Sequence, residues 1–235
     1  MAAMFKKIIV ALLSAAFCVI ASICLGLYFR SDLSDTFYLP PFFRVMIMIF
    51  ACVAIYLAAR VSAKDLFPHR QAQIIRGALG FAFVLYLLLL VNFLFFETSF
   101  LRSHSLIFIQ DKAVIKDYLD EYLNVEPFSM IRRYLRGYMI GTVSLEFFLM
   151  NIFGNFILFM PFAFFLPVLF EKQRNFIIFF FTVALASASA EVLQVVFMTG
   201  TGDVDDLLLN TVGACILFGL LNTKIGKKLV DFVKG

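Results

Sequence analysis

Four carboxylates and four amides crowd into three apolar stretches near the C-terminus, where a bilayer should reject them. They are Asn151 and Asn155 in the first stretch, Glu191 and Gln194 in the second, and Asp203, Asp205, Asp206 and Asn210 in the third. An ionisable side chain inside a membrane span costs roughly 2.5–3.5 kcal/mol, so it persists where it faces a partner or a water-filled cavity. Such carboxylates can take a hard divalent cation. The amides can both donate and accept hydrogen bonds, so the set as a whole could grip a polar head group.

Spacing groups these residues further. Positions three or four apart share a helix face, which aligns Asn151 with Asn155, and Glu191 with Gln194 and Ser187. Asp203, Asp206, Asn210 and Gly213 form a third stripe. Each also has a plainer reading. Asp203, Asp205 and Asp206 suit a helix start, where acids meet exposed N–H groups and the dipole. Asn151, Asn155 and Gln194 can join helices inside a membrane, at roughly 1 kcal/mol per bond. Gly154 and Gly213 would allow helices to approach closely. Glu191, between Ala190 and Val192, has no capping role to explain it.

The elements that must hold these groups are transmembrane helices. The chain has 235 residues, 63% hydrophobic and 15% charged, with a mean hydropathy of +0.96. Soluble domains are about 45–50% apolar, so the composition predicts an all-α, polytopic transmembrane bundle. Six runs approach the length of about 20 residues that spans a bilayer: Ile8–Phe29, Phe42–Ala59, Ala78–Phe96, Leu145–Phe170, Phe176–Met198 and Val204–Leu221. The first exceeds a signal peptide's apolar core and reads as an uncleaved helix. Pro161 and Pro167 predict a kink or early stop in the fourth, and Asn175 a cap for the fifth. Four regions result: an N-terminal three-helix part (1–96), an outer loop (97–144), a three-helix core (145–221) and a basic tail (222–235).

Basic residues orient the bundle. With the N-terminus inside, the inner segments hold Lys6, Lys7, Arg60, Lys64, Arg70, Arg76, Lys172, Arg174, Lys224, Lys227, Lys228 and Lys234. The two short outer loops hold only Arg30 and Arg44. The positive-inside rule then puts both termini in the cytoplasm and the three polar faces together near the outer leaflet. Within the outer loop, Ala113, Val114, Tyr118, Leu119, Tyr122 and Leu123 recur at helical spacing and predict an amphipathic helix on the interface.

Other chemistry is thin. Cys18, Cys24, Cys52 and Cys215 lie in apolar runs without metal-ligand spacing and read as small hydrophobes. His69 and His104 stand alone in loops, and no GxSxG, HExxH or Walker pattern occurs. The net charge of +4 sits in loops beside spans and predicts no nucleic-acid partner.

Asn151-Ile-Phe-Gly154-Asn155, followed by Phe159, Pro161-Phe162 and Pro167, resembles the GN…F.PFG…P pattern of VanZ-like membrane proteins. Glu191-Val-Leu-Gln194 resembles that family's E..Q element. Asp203-Val-Asp205-Asp206-Leu-Leu-Leu-Asn210-Thr-Val-Gly213 resembles its D.DD...NT.G element, and Asn124-Val-Glu-Pro127-Phe128 its N..PF segment. Thr201 stands where the family often has arginine, and Ala163 where glycine is common. The resemblance implies a multi-pass protein of the bacterial cell membrane, in a family whose founding member is associated with low-level teicoplanin resistance. It implies no established reaction.

Two functions compete for these residues. One is a non-enzymatic envelope protein whose outer-leaflet pocket binds membrane lipids or lipid-linked precursors through Asn151, Asn155, Glu191, Gln194, Asp203, Asp206 and Asn210, with no cofactor required. The alternative is a metal-assisted enzyme acting on phosphate or pyrophosphate lipids, with a divalent cation on Asp203, Asp205, Asp206 and Glu191. It lacks a nearby cation in the three spans. A transporter of inverted repeats finds no shared motif between the halves.

Overall fold

The structure, a computed structural model, describes residues 2–33, 41–95, 118, 120, 122–197 and 199–234. Six helical segments are long and apolar enough to cross a membrane: Ile8–Tyr28, Phe43–Ala63, Pro68–Phe95, Leu145–Leu169, Phe176–Val196 and Val204–Leu221. Each contains the apolar run expected from sequence or nearly all of it. The chain is a multi-pass helical membrane protein.

The contacts divide the chain into two units, Met1–Leu89 with Asp231–Gly235, and Leu90–Val230. In the first, α1 (Ala2–Leu33) lies along α2 (Pro41–Ala63). α2 starts on Pro41, where a missing N–H costs nothing. Ser14 donates to the Ala58 carbonyl at 3.4 Å, and Tyr28, Met48 and Leu85 bury one another with Leu25, Ile47 and Ile55 around them. Arg60 donates to Tyr56 Oη at 2.7 Å and to the Phe232 carbonyl.

The second unit takes in the last turns of α3 (Pro68–Phe95), a two-residue strand β1 (Leu123–Asn124), and helices α4 (Ser129–Met139), α5 (Leu145–Leu158) and α6 (Phe162–Leu169). These are followed by α7 (Phe176–Val196), strand β2 (Gly202–Asp203), α8 (Val204–Leu221) and most of α9 (Lys224–Lys234). Ser144 caps α5 by accepting from Phe147 N at 3.2 Å. The expected break in the fourth span falls at Phe159–Pro161, between α5 and α6, and Pro167 lies inside α6. Asn175 caps α7 as expected, accepting from Ile177 and Ile178 N–H at 2.9 and 3.2 Å.

Close approach falls on one of the two glycines considered. A Cβ on Gly213 would lie 1.8 Å from the Phe156 carbonyl oxygen, so α8 and α5 meet backbone to backbone there, whereas one on Gly154 would meet nothing within 4 Å. The amphipathic helix expected around 111–123 falls mostly outside the described residues. Of it, the Tyr118 and Tyr122 rings stack at 4.6 Å, and Tyr118 donates to the Gly200 carbonyl. Among the described residues, two α-helices were not anticipated: α4, further along the same loop, and α9, within the basic tail.

Candidate functional site

At one end of the second unit, β1 runs parallel to β2, with Leu123 opposite Gly202 and Asn124 opposite Asp203. Gly202 permits this: a Cβ there would lie 2.4 Å from Val195 Cγ2 and 3.1 Å from Leu123 Cδ1. The pairing carries the residues before α4 onto the mouth of α8, where the aspartates stand.

Each aspartate takes a different partner. Asp203 caps α8 by accepting from Asp205 N at 2.8 Å, and its two oxygens accept from Asn124 Nδ2 at 2.9 and 3.0 Å. Burial raises the Asp203 carboxyl above the usual range, opposed by the Asn124 and Asp205 N–H bonds. The Asp205 charge adds to the rise, and the Arg133 guanidinium opposes it. Asp205, fully buried, caps a different helix from its own. Its oxygens accept from Phe128 N, from Met130 N at 2.8 Å and from Ile131 N at 3.1 Å, which are the orphan donors at the start of α4. Phe128 sits at φ 64°, a strained region for a bulky residue; its bond to Asp205 fixes that corner. Asp206 accepts from Asn155 Nδ2 of α5.

The remaining expected site residues tie helices together. Glu191 is buried, and its Oε2 accepts from Asp203 N at 3.0 Å. Gln194 donates to the Leu94 carbonyl at the end of α3 at 2.9 Å. Asn210 donates to Ser187 Oγ at 3.0 Å; its buried Oδ1, like Thr211 Oγ1, has no hydrogen-bond partner among the described residues. Asn151 donates to Phe147 O of its own helix at 2.7 Å. Thus Asn155, Glu191, Asp203 and Asp206 gather at one level and Asn210 meets Ser187 of α7, while Asn151 and Gln194 donate elsewhere, to Phe147 O and Leu94 O.

Sequence reasoning missed what α4 brings. Tyr134 is partly buried, and burial together with the nearby Asp206 and Asp203 charges raises its phenol. Its ring meets Phe147 of α5 edge-on at 5.7 Å. Arg133 supplies the cation that the three spans lack. A signal was present: Met130, Tyr134 and Gly137 alternate with Arg132, Arg133 and Arg136 at helical spacing. α4 ends in a Schellman turn, with Thr142 N bonded to Gly137 O at 2.9 Å, Gly141 N to Tyr138 O at 3.1 Å and Gly141 at φ 77°. Among the described residues, no three His, Cys, Asp or Glu side chains are placed to hold a metal ion.

Fold and site together define a helical integral membrane protein with a buried acid–amide cluster that fastens a short arginine-bearing helix to the end of its spans. The VanZ/LLP1 family model matches residues 83–225, and the chain belongs to that family. It is similar to "Protein VanZ" of Enterococcus faecium, 37% identical over 82 residues, covering 34% of this chain and 50% of the relative. The chain thus spans about half the length of that curated relative. No solved structure matches.

Proposed function

We propose that this protein is a non-enzymatic component of the bacterial cell envelope that holds the polar head group of a lipid or lipid-linked precursor at the outer leaflet. Masking such a precursor would tie it to glycopeptide susceptibility, teicoplanin in particular. The reading places both termini in the cytoplasm, following the basic residues of the inner segments. The observation that carries it is the convergence of Asn124, Asn155, Glu191, Asp203 and Asp206, drawn from four segments, on one end of the bundle. Exposed Val125 and Phe128 stand beside them, offering apolar contact to an acyl or prenyl chain. Asn210 Oδ1, without a hydrogen-bond partner among the described residues, adds acceptor capacity within the same helices.

Binding is favoured over turnover by how the acids are used. Arg133 removes the objection that no cation stands near, yet Asp203 and Asp205 spend their oxygens on backbone N–H groups and an amide. Such oxygens are structural acceptors rather than general bases or metal donors.

Mass spectrometry of lipids co-purified with the wild type should reveal a species enriched over the bulk membrane. Asn155→Ala and Glu191→Gln should deplete it and alter teicoplanin susceptibility at unchanged expression. Identical lipid profiles for wild type, both variants and bulk membrane would sink the proposal.

A further inference from the structure

A cleft of about 510 Å³ opens along α4, lined by Arg132, Arg133 and Arg136, with Ser129, Gly137 and Thr142 among its other walls. Its shape comes from the turn that ends the helix. Gly137 is buried because Val143 folds back onto it; a Cβ there would lie 2.6 Å from Val143 Cγ2. Thr142 Oγ1 donates to Gly137 O at 3.1 Å, so the reversed chain forms a fixed wall opposite the arginines.

Three cations within five residues repel one another unless something offsets them. Arg132 pairs with Glu126 at 2.7 Å, but both side chains are mostly exposed, at 62% and 72%. Such an exposed pair is weak and exchanges readily. Arg133 feels Asp203, whose oxygens are already committed to Asn124 and Asp205 N–H. Arg136 makes no ion pair among the described residues. α4 itself carries no acid between Ser129 and Met139. The N-terminus of the helix cannot serve an anion, since Asp205 already occupies its N–H groups. What remains for an anion is the arginine face.

We infer that this cleft binds a phosphate or pyrophosphate group, with Arg133 and Arg136 as its principal ligands and Arg132 released from Glu126 to join them. The planar guanidinium fork matches two phosphate oxygens at once, and a phosphate monoester or pyrophosphate brings it more negative charge than an uncharged sugar or a zwitterionic choline phosphodiester. Leu135 and Met139 on the same short helix, and Ile140 just past its end, expose apolar side chains. A phosphate carrying a hydrocarbon chain therefore meets both surfaces together. This inference rests on the head-group reading above and names the chemical class of that head group.

The full-length protein in maltoside micelles provides the test, by microscale thermophoresis with dioleoylphosphatidic acid, inorganic pyrophosphate and dioleoylphosphatidylcholine. Wild type should bind phosphatidic acid, with pyrophosphate competing, and should bind zwitterionic phosphatidylcholine at least tenfold more weakly. Arg133→Gln and Arg136→Gln should each weaken binding at least tenfold, and Lys172→Gln should not. Saturable binding of pyrophosphate but not of the lipid would keep the phosphate site and assign it to a soluble ligand. Binding should also weaken with added salt, as pairing of exposed charges does, a readout independent of whether a variant folds. Absence of binding to both phosphatidic acid and pyrophosphate, salt-independent binding, or full affinity in both arginine variants would overturn the assignment. Loss of binding in Asn155→Ala with full retention in the arginine variants would place the head group on the acid–amide cluster instead. The reverse pattern would keep the arginine site and remove the cluster from the binding surface.

Discussion

A buried acid in a membrane protein usually needs a cation, but Asp205 is satisfied by three backbone N–H groups of another helix. Hydrogen bonds to a charged group contribute about 1.5–3 kcal/mol each, and here they also hold the strained Phe128 in place. Asp205→Ala leaves those donors without their acceptor. It should destabilise the second unit by on the order of 3 kcal/mol, the scale of desolvating unpaired donors. Hydrogen exchange at Met130 and Ile131 should rise sharply, and Asp205→Asn, which keeps one acceptor oxygen, should show a smaller rise. Unchanged exchange in Asp205→Ala would mean that the packing of α4 on α5 holds the helix without this bond. Neighbouring Asp203 and Asp206 turn in other directions, one to Asn124 and the other to Asn155. Three acids in four residues thus tie down three different segments.

Elements meet here through glycine and proline as much as through apolar faces. The α5–α8 crossing depends on Gly213, since a methyl there would enter the Phe156 carbonyl. Gly213→Ala should force the helices apart at a cost of roughly 1–3 kcal/mol, typical of overpacking, and should disturb the Asn155–Asp206 bond nearby. Gly154→Ala, with open space around its Cβ, should be neutral or stabilise by up to about 1 kcal/mol, because alanine loses less chain entropy in a helix. Unfolding midpoints in micelles separate the two; equal midpoints would contradict the close contact. The break at Phe159–Pro161 divides the fourth span into α5, which carries Asn151 and Asn155, and α6, which carries neither. The polar residues of that span therefore all lie before its kink.

The whole chain is arranged across a bilayer, and its proposed orientation puts the acid–amide cluster and the arginine cleft on the outer side. A cysteine replacing exposed Thr201 should react with an impermeant thiol reagent in intact cells, and one replacing exposed Arg174 should react only after permeabilisation. The opposite pattern would invert the topology and move the proposed head-group site to the inner leaflet. Cys18, Cys24, Cys52 and Cys215 would first be replaced by serine or alanine to remove background.

The spans, the cap at Asn175, the break near Pro161 and the family motifs were all legible in the sequence. Each depends on residues within a few positions of one another, which apolar run length, capping chemistry and proline geometry report directly. The sequence also marked Asn151, Asn155, Glu191, Gln194, Asp203, Asp206 and Asn210 as a set, because helix direction fixes depth and three spans placed them at one level; it did not tell which of them bond to one another, as Asn155 does to Asp206 and Glu191 to Asp203 N. Partner choice was not legible. Asp205 reaches back across 77 residues to Phe128, and Asn155 across 51 to Asp206, so these pairs exist only once α4, α5 and α8 have packed. For the same reason the cation missing from the spans is supplied by Arg133 from outside them. Local pattern determines which segments cross the membrane; side-chain reach between packed segments determines which acid is a cap, which is a tether and where the arginines open a cleft.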